Sequence, residues 1–168
     1  MTQIRLMQAA DVAAIDAGFR AQNWPPRTAV LQSYWQDQQA GRRQVFVAEQ
    51  NGVVAGYLTL VPRAAHGPFA GQLPEVTDFN VFAAFRQQGI GTALLDAAEN
   101  VARTAGATVI SLGVGLHAGY GPAQRLYVRR GYVPDGSGVW YQDRPLPQEA
   151  SCRNDDALVL YLSKPLFS

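Results

Sequence analysis

The stretch that decides the fold is FRQQGIGTALL, residues 85–95, in the middle of the chain. Its first half combines an arginine, two glutamines and two glycines, and its second half becomes apolar at helical spacing. Glycine is a poor helix former, so glycines at the start of a helix indicate that the backbone there needs a positive φ angle or a close neighbour. The stretch therefore predicts a specialised loop, residues 86–91, that leads into a helix.

The segments around this loop predict a mixed α/β protein. Glu75–Val81 before the loop has the composition of a strand, and the helix after it carries an apolar stripe formed by Ile90, Leu94, Ala97, Ala98, Val101 and Ala105. Upstream lie a strand, two helices and a hairpin signalled by Asn51-Gly52. Downstream, strands are predicted at 107–113, 132–133 and 157–163, with a helix at 121–130 between the first two. The order predicts about seven strands and about four helices.

Composition narrows the class of protein further. The 168 residues are 48% hydrophobic and 16% charged, which predicts one globular domain over residues 1–168. The net charge of +1 argues against nucleic acid and against an anionic membrane as partners. Neither a signal-peptide layout nor a membrane-spanning run is visible, so a cytoplasmic location is expected. Cys152 is the only cysteine and there are two histidines, so no metal site is expected.

The loop at residues 86–91 is suited to an anion. Free N–H groups at a helix N-terminus and the helix dipole favour negative charge, and Arg86 adds a donor that suits phosphate. A diphosphate fits these groups. A P-loop would need a lysine after Gly91, where Thr92 and Ala93 follow, and a dinucleotide fingerprint would need a small residue in place of Leu94. A helix start relaxed by glycines that binds nothing is the structural alternative.

A second glycine pattern offers a competing interpretation. Residues 113–118 match G-x-G-x-x-A after a strand, and Asp135 follows at about the distance of a ribose-binding acid. However, Pro122 places the start of the next helix several residues beyond the pattern. Dinucleotide binding therefore remains a minor alternative.

Two stretches together resemble a known family. They are VFAAFRQQGIGTALL at 81–95 and AQRLYVRRGY at 123–132. The first is similar to the cofactor motif of the GNAT superfamily of N-acetyltransferases, R/Q-x-x-G-x-G/A between a strand and a helix. The second is similar to that family's A-x-x-L-Y-x-x-x-G-F/Y ending. The resemblance implies a splayed mixed sheet and acetyl-CoA as acyl donor, with no metal.

The resemblance also implies which residues hold the donor. Pantetheine would pair with the backbone of Phe79, Asn80 and Val81, and the pyrophosphate would take N–H groups from Gln87, Gln88, Gly89, Ile90, Gly91 and Thr92. Arg86 matches the motif's basic position. One departure stands out, because many family members carry an asparagine where this chain has Tyr120.

Acetyl transfer to an amine would need a base and an acid, since an alkyl amine with a pKa of ~10 is mostly protonated near neutrality. The resemblance implies Tyr127 as the acid that protonates the departing thiolate, although a packed tyrosine would look the same in the sequence. Glu75 is the leading candidate for the base, directly or through water. Asp78 and His117 are the rivals, and a solvated carboxylate is the structural alternative for Glu75.

The acceptor is harder to infer. Trp24 lies in a proline-rich break between the first two helices, where family members often bind acceptors. The long segment 134–156, expected to be a loop, holds Trp140, Tyr141 and several acidic residues, which would suit a cationic amine. The leading hypothesis is an N-acetyltransferase acting on a primary amine of a small molecule or peptide, as a monomer or homodimer. The alternative is an acyl-CoA-binding sensor without turnover.

Overall fold

A computed structural model of the chain describes residues 1–167 and contains eight strands and four α-helices within that range. The elements in chain order are β1 (Thr2–Leu6), α1 (Asp11–Ala21), α2 (Thr28–Gln39), β2 (Gln44–Gln50), β3 (Val53–Val61), β4 (Glu75–Val81), α3 (Ile90–Thr104), β5 (Val109–Gly115), α4 (Gly121–Arg129), β6 (Val133–Tyr141), β7 (Arg144–Pro145) and β8 (Leu158–Pro165). The predicted α/β class is confirmed, with one strand more than expected.

The chain divides into two compact units. The first holds Met1–Pro62 and Val76–Val101, and the second holds Arg63–Glu75 and the chain from Ala102 onward. In the first unit the strand order is β1-β2-β3-β4, and β2 pairs antiparallel with both β1 and β3. In the second unit the order is β5-β8-β6-β7, and every pair is antiparallel. A single domain over residues 1–168 stays a prediction.

The first unit is built around an apolar cluster beneath its strands. Asn51 and Gly52 take φ angles of 52° and 81°, which confirms the predicted hairpin between β2 and β3. Helices α1 and α2 place their apolar faces against these strands. The buried residues of the cluster are Met7, Ile15, Phe19, Leu31, Val45, Val47, Tyr57 and Phe82.

The second unit has its own buried side chains. Strand β5 pairs with β8 along its whole length, from Val109 opposite Pro165 to Gly115 opposite Val159. Tyr132, at the end of α4, is almost fully buried and packs against the ring of Tyr127. The other buried hydrophobic residues of this unit include Ile110, Leu112, Val114, Leu158, Tyr161, Leu162 and Leu166.

The predicted long loop at 134–156 was partly wrong. Strand β6 extends through Val133–Tyr141, and a two-residue turn at Gln142 and Asp143 connects it to β7. Proline and glycine at 134, 136 and 138 hid this strand, because both residue types normally weaken strands. The structure accommodates them with an irregular register between Pro134 and Val139. The segment from 146 to 156 has no regular strand or helix, as expected.

Candidate active site

The loop before α3 has the backbone conformation that its glycines suggested. Gln87 and Gly89 have φ angles of 62° and 79°. Because the first bond into the helix runs from the N–H of Ala93 to the carbonyl of Gly89 at 3.0 Å, the helix supplies no acceptor for the amides of residues 90–92. Among described residues, no atom lies within 4 Å of the place where a Cβ on Gly89 would stand. The loop therefore presents bare amides beside open space, which fits a diphosphate.

Two side-chain contacts hold this loop. The Arg86 guanidinium donates through Nε to the carbonyl of Val81 at 3.1 Å, which ties the loop to the end of β4. The Gln50 amide donates to Oε1 of Gln88 at 3.0 Å. Arg86 is exposed. A cation therefore stands at the start of this loop.

Asp78 in β4 is the centre of a polar network in the first unit. Its φ angle of 46° interrupts the regular strand backbone. Oδ2 accepts from Arg27 Nη1 at 2.7 Å and from the hydroxyl of Tyr34 at 2.8 Å. Oδ1 accepts from the hydroxyl of Tyr57 and from the amide of Asn80, both at 3.0 Å. With both oxygens engaged by donors, Asp78 is poorly placed to take a proton from a substrate, which argues against it as the base.

The same network anchors the connection between α1 and α2. The backbone N–H of Arg27 donates to buried Asp16 at 2.6 Å, and the hydroxyl of Thr28 donates to the other oxygen of that carboxylate. Trp24, in the middle of the connection, stacks on Phe19 with 5.9 Å between ring centroids and is 47% exposed. The tryptophan proposed for acceptor binding is therefore held on a fixed support with a free surface.

The network also settles the protonation of its tyrosines. Burial, followed by the negative charge of Asp78, raises the pKa of Tyr34 to about 12 and raises that of Tyr57 further above its ordinary value. Both phenols therefore remain protonated near neutrality and act as donors to the carboxylate.

Glu75, the first residue of β4, lies in the second unit and is only 9% exposed. Its Oε2 atom is buried and has no hydrogen-bond partner among residues 1–167. Burial raises the pKa of this carboxyl to about 7, while a charge on His66 lowers it and the charge of Asp143 raises it. An unpaired buried carboxyl costs stability, and such groups are concentrated at functional sites. Glu75 thus has the burial and the pKa of a general base.

Tyr127, on α4, is buried with 6% of its surface exposed. Its ring meets that of Tyr132 edge-on at 5.9 Å. Burial, with a smaller contribution from Tyr120, raises the pKa of Tyr127 well above its ordinary value. The phenol therefore keeps its proton at physiological pH, as a general acid must. Its packing is also that of a core tyrosine.

The rival base His117 is engaged at both ring nitrogens. Nδ1 accepts the N–H of Gly119 at 3.1 Å, and Nε2 lies 3.1 Å from Oδ1 of Asp156. The hydroxyl of Tyr120 donates to the same carboxylate oxygen at 2.9 Å, and the Tyr120 and His117 rings lie 4.6 Å apart. The tyrosine that replaces the family's common asparagine therefore anchors the end of segment 134–156, and His117 is part of that anchor.

The acidic residues of segment 134–156 are largely used within the chain. The acceptor–donor pairs are Asp135 with Ser137 at 2.8 Å, Asp143 with Gly67 at 2.8 Å, Asp155 with Ala157 at 3.0 Å, and Asp156 with Tyr120 at 2.9 Å. Trp140 donates to the Ser137 hydroxyl at 2.9 Å, and the Tyr141 hydroxyl lies 3.5 Å from Asp155. These acids shape the segment, so their charge is less available to an incoming cation than the sequence suggested.

The second glycine pattern serves packing. Gly113 and Gly115 lie inside β5, not in a loop after it. A Cβ on Gly113 would stand 2.8 Å from Val159, and one on Gly115 would stand 2.2 Å from the ring of Tyr120. These glycines allow close approach of neighbouring side chains, and the strand–loop–helix arrangement of a dinucleotide site is not formed here.

Through residue 167, no cluster of three or more His, Cys, Asp or Glu side chains is arranged to hold a metal ion. None of the helices in that part of the chain has the length and apolar character needed to cross a bilayer.

Comparison with known proteins decides the family. Residues 9–132 match the Acetyltransferase (GNAT) family. The chain belongs to this family. No curated protein matches the sequence.

Solved structures show the same GNAT fold. An N-acetyltransferase from Staphylococcus aureus Mu50 is 20% identical with a TM-score of 0.75, and covers 99% of each chain. The ribosomal-protein-S18-alanine N-acetyltransferase from Escherichia coli is 17% identical with a TM-score of 0.71, covering 99% of this chain and 94% of its own. The structure of yncA from Salmonella typhimurium, which contains its cofactor acetyl-CoA, is 24% identical with a TM-score of 0.70 and the same coverage.

Proposed function

We propose that this GNAT-family protein transfers the acetyl group of acetyl-CoA to a primary amine of a small molecule or peptide by direct attack. The observation that carries the proposal is Glu75, a buried carboxyl with an unpartnered oxygen and a pKa raised to about 7. A base of that pKa suits proton removal from an ammonium group.

The loop before α3 supports acetyl-CoA as the donor. Its amides at residues 87–92 would hold the pyrophosphate, with Arg86 as an additional cation, and the backbone of Phe79, Asn80 and Val81 would pair with pantetheine. The open space at Gly89 supports this assignment, because a side chain there would occupy the anion's place. When bound, acetyl-CoA supplies the thioester that the amine attacks.

The base would act before attack. Glu75 accepts a proton from the acceptor's ammonium group, directly or through a water, and the neutral nitrogen then bonds to the thioester carbon. With a pKa of about 7, Glu75 is better matched to an α-amine of pKa ~7.7–8.0 than to an alkyl amine of pKa ~10. We therefore propose that peptide N-termini and amino acids are better acceptors than lysine side chains.

The acid would act as the carbon–sulfur bond breaks. The electron pair of that bond goes to sulfur, and the thiolate receives the proton of the Tyr127 hydroxyl. The second proton, which the attacking nitrogen loses as it becomes an amide, restores that hydroxyl directly or through water. Burial keeps this hydroxyl protonated across the physiological range. Trp24, Trp140 and Tyr141 are proposed to contact the acceptor, and of these Trp24 has the largest free surface.

A thiol-release assay tests the function. Acetyl-CoA is offered with an amine panel of N-terminal peptides, amino acids, lysine, polyamines and aminoglycosides. Release of CoA with at least one amine is expected, and Tyr127→Phe should lower kcat by about 10²–10⁴-fold while acetyl-CoA still binds. An unchanged kcat would remove Tyr127 from the mechanism. Binding of acetyl-CoA without release on any amine would favour the sensor.

A further inference from the structure

The turn between β6 and β7 has an unusual backbone. Gln142 and Asp143 have φ angles of 51° and 63°, in the left-handed region. Two-residue hairpin turns of this kind usually contain asparagine, aspartate or glycine, which enter that region at low cost. Here Asp143 fits that preference, whereas Gln142 enters the region at a higher cost, so the turn carries strain at residue 142. Such strain persists where another contact holds the residue in place.

The contact that holds Asp143 is to loop 63–73. Its Oδ1 accepts the N–H of Gly67 at 2.8 Å, and its Oδ2 lies 3.1 Å from Nδ1 of His66. The Gly67 N–H and the His66 ring both lower the pKa of Asp143, so the charged carboxylate makes these bonds. The Asp143 side chain therefore contacts two consecutive residues of the loop, and Gly67 is 76 positions away from it in the sequence.

Loop 63–73 lies against the buried ring of Tyr161. Gly67 has a φ of 76°, and a Cβ there would stand 2.4 Å from the Tyr161 ring. The same ring meets Trp140 edge-on, with 5.7 Å between centroids. Burial and then the charge of Glu75 raise the pKa of Tyr161 to about 12. His66, Asp143 and Tyr161 thus lie close enough to Glu75 to interact electrostatically with its carboxylate.

Loop 63–73 leads through Pro74 directly into Glu75, whose buried Oε2 atom has no hydrogen-bond partner among residues 1–167. The charges of His66, in the loop, and of Asp143, in the turn, change the pKa of Glu75. The charge of Glu75 in turn raises the pKa of Tyr161, in β8. Because the loop is joined to Glu75 by a single residue, a change in the loop's position would alter the position and the solvent exposure of this carboxyl. A base held in a fixed, dry site reacts more efficiently than a solvated one.

We propose that Asp143 is a positioning residue. Its two contacts, with the Gly67 N–H and with the His66 ring, are here called the clasp. The clasp holds loop 63–73 against Tyr161 and keeps Glu75 buried and directed at the acceptor amine. The part of this inference that concerns the reaction rests on the proposed acetyl transfer. The clasp itself does not, because it can be measured without any substrate.

Three variants separate the clasp from the turn. Asp143→Gly removes the carboxylate, but glycine accepts the positive φ, so the turn itself is preserved. Asp143→Asn keeps an oxygen that can accept the Gly67 N–H. Gln142→Gly relaxes the neighbouring turn position without touching the clasp and is the matched control.

Hydrogen exchange and steady-state kinetics are measured on each variant. In Asp143→Gly, the Gly67 amide should exchange about tenfold faster, as expected for a lost hydrogen bond. Its kcat/KM for the acceptor should fall by about tenfold or more, while KM for acetyl-CoA stays at the parent value. Asp143→Asn should recover a large part of both losses, and Gln142→Gly should match the parent.

Each outcome has a separate meaning. Unchanged exchange at Gly67 in Asp143→Gly would overturn the clasp, whatever the protein catalyses. Faster exchange with parental acceptor kinetics would overturn the positioning role. If the parent transfers acetyl to no amine, the proposed function fails and the positioning of a base fails with it, while the exchange data still show whether the clasp exists.

Discussion

Glu75 shows at the residue scale how burial can create reactivity. A glutamate at the surface is ionised above pH 5 and is a weak base. Enclosed at the start of β4 with an unpartnered oxygen, the same side chain has its pKa raised to about 7. The protein keeps a destabilising group at this place, which is typical of an active site in which function and stability conflict.

The pH dependence of the reaction should follow this carboxyl. Since only the ionised form accepts a proton, kcat/KM for the acceptor should fall by about tenfold per pH unit below pH ~7, where the ammonium form that Glu75 deprotonates is already the main form of the amine. Glu75→Gln should lower the maximum of kcat/KM for the acceptor by about 10²–10⁴-fold, and the remaining pH dependence of kcat/KM should reflect only the ionisation of the amine. The measurement is a pH–rate profile of both proteins, and an unaltered profile in the variant would exclude Glu75 as the base.

The stability of the same variant provides a control against misfolding. Because the folded-state pKa of Glu75 is raised from 4.5 to about 7, the penalty for its charge is absent below pH 4.5, grows between pH 4.5 and about 7, and is constant at higher pH. Glu75→Gln removes that penalty. It should therefore gain up to about 3 kcal/mol relative to the parent between pH 4.5 and pH 8 in urea denaturation. If the free energy of unfolding of Glu75→Gln were lower than that of the parent at pH 8, the carboxyl would not be desolvated.

At the scale of elements, β4 and the connection between α1 and α2 depend on one carboxylate. Asp78 interrupts β4 with a positive φ and gathers donors from α2, β3, β4 and the connection. Arg27, which reaches it, is also tied through its backbone to Asp16. The connection that carries Trp24 is therefore fixed through both the backbone and the side chain of Arg27.

Removing this carboxylate should loosen both elements. Asp78→Ala leaves Arg27, Tyr34 and Tyr57 without their shared acceptor and should cost about 2–3 kcal/mol of unfolding free energy. Hydrogen exchange across residues 22–28 should rise in parallel. Asp78→Asn keeps one side-chain oxygen as an acceptor and tolerates a positive φ, so it should cost less. Equal stability of Asp78→Ala and the parent in denaturant titrations would contradict the role of the network.

At the scale of the whole molecule, ligand binding should report on the loop before α3. A ligand of the native state raises the melting temperature, and acetyl-CoA at 100 times its Kd should add about 2.7 kcal/mol of stability, whereas NAD should add none. Gly89→Asp should abolish the shift, because it adds strain, bulk and negative charge where the pyrophosphate binds. Gly41→Asp is the matched control, since Gly41 has a similar φ of 76° and open surroundings but lies at the end of α2. A parental shift in Gly89→Asp would remove this loop from cofactor binding.

Several features followed from the sequence because they depend on neighbours along the chain. The loop at residues 86–91, the hairpin at Asn51-Gly52, the order of helices and strands up to α4 and the family all rest on local composition and spacing. The sequence also named Glu75 as a candidate base, but only from its place at the start of a strand, and it could not distinguish Glu75 from Asp78 or His117.

The differences among those three candidates arise from contacts between residues far apart in the chain. Asp78 is occupied by Arg27, Tyr34 and Tyr57, and His117 by Asp156, whereas Oε2 of Glu75 is enclosed and unpartnered. Strand β6 was missed because its glycines and proline oppose local strand propensity, and pairing with β8 overrides that preference. Local pattern determined where the elements and the glycine-containing loop before α3 lie. Burial and hydrogen bonding, which depend on the three-dimensional arrangement, decided which of the three candidate bases has a buried oxygen without a hydrogen-bond partner.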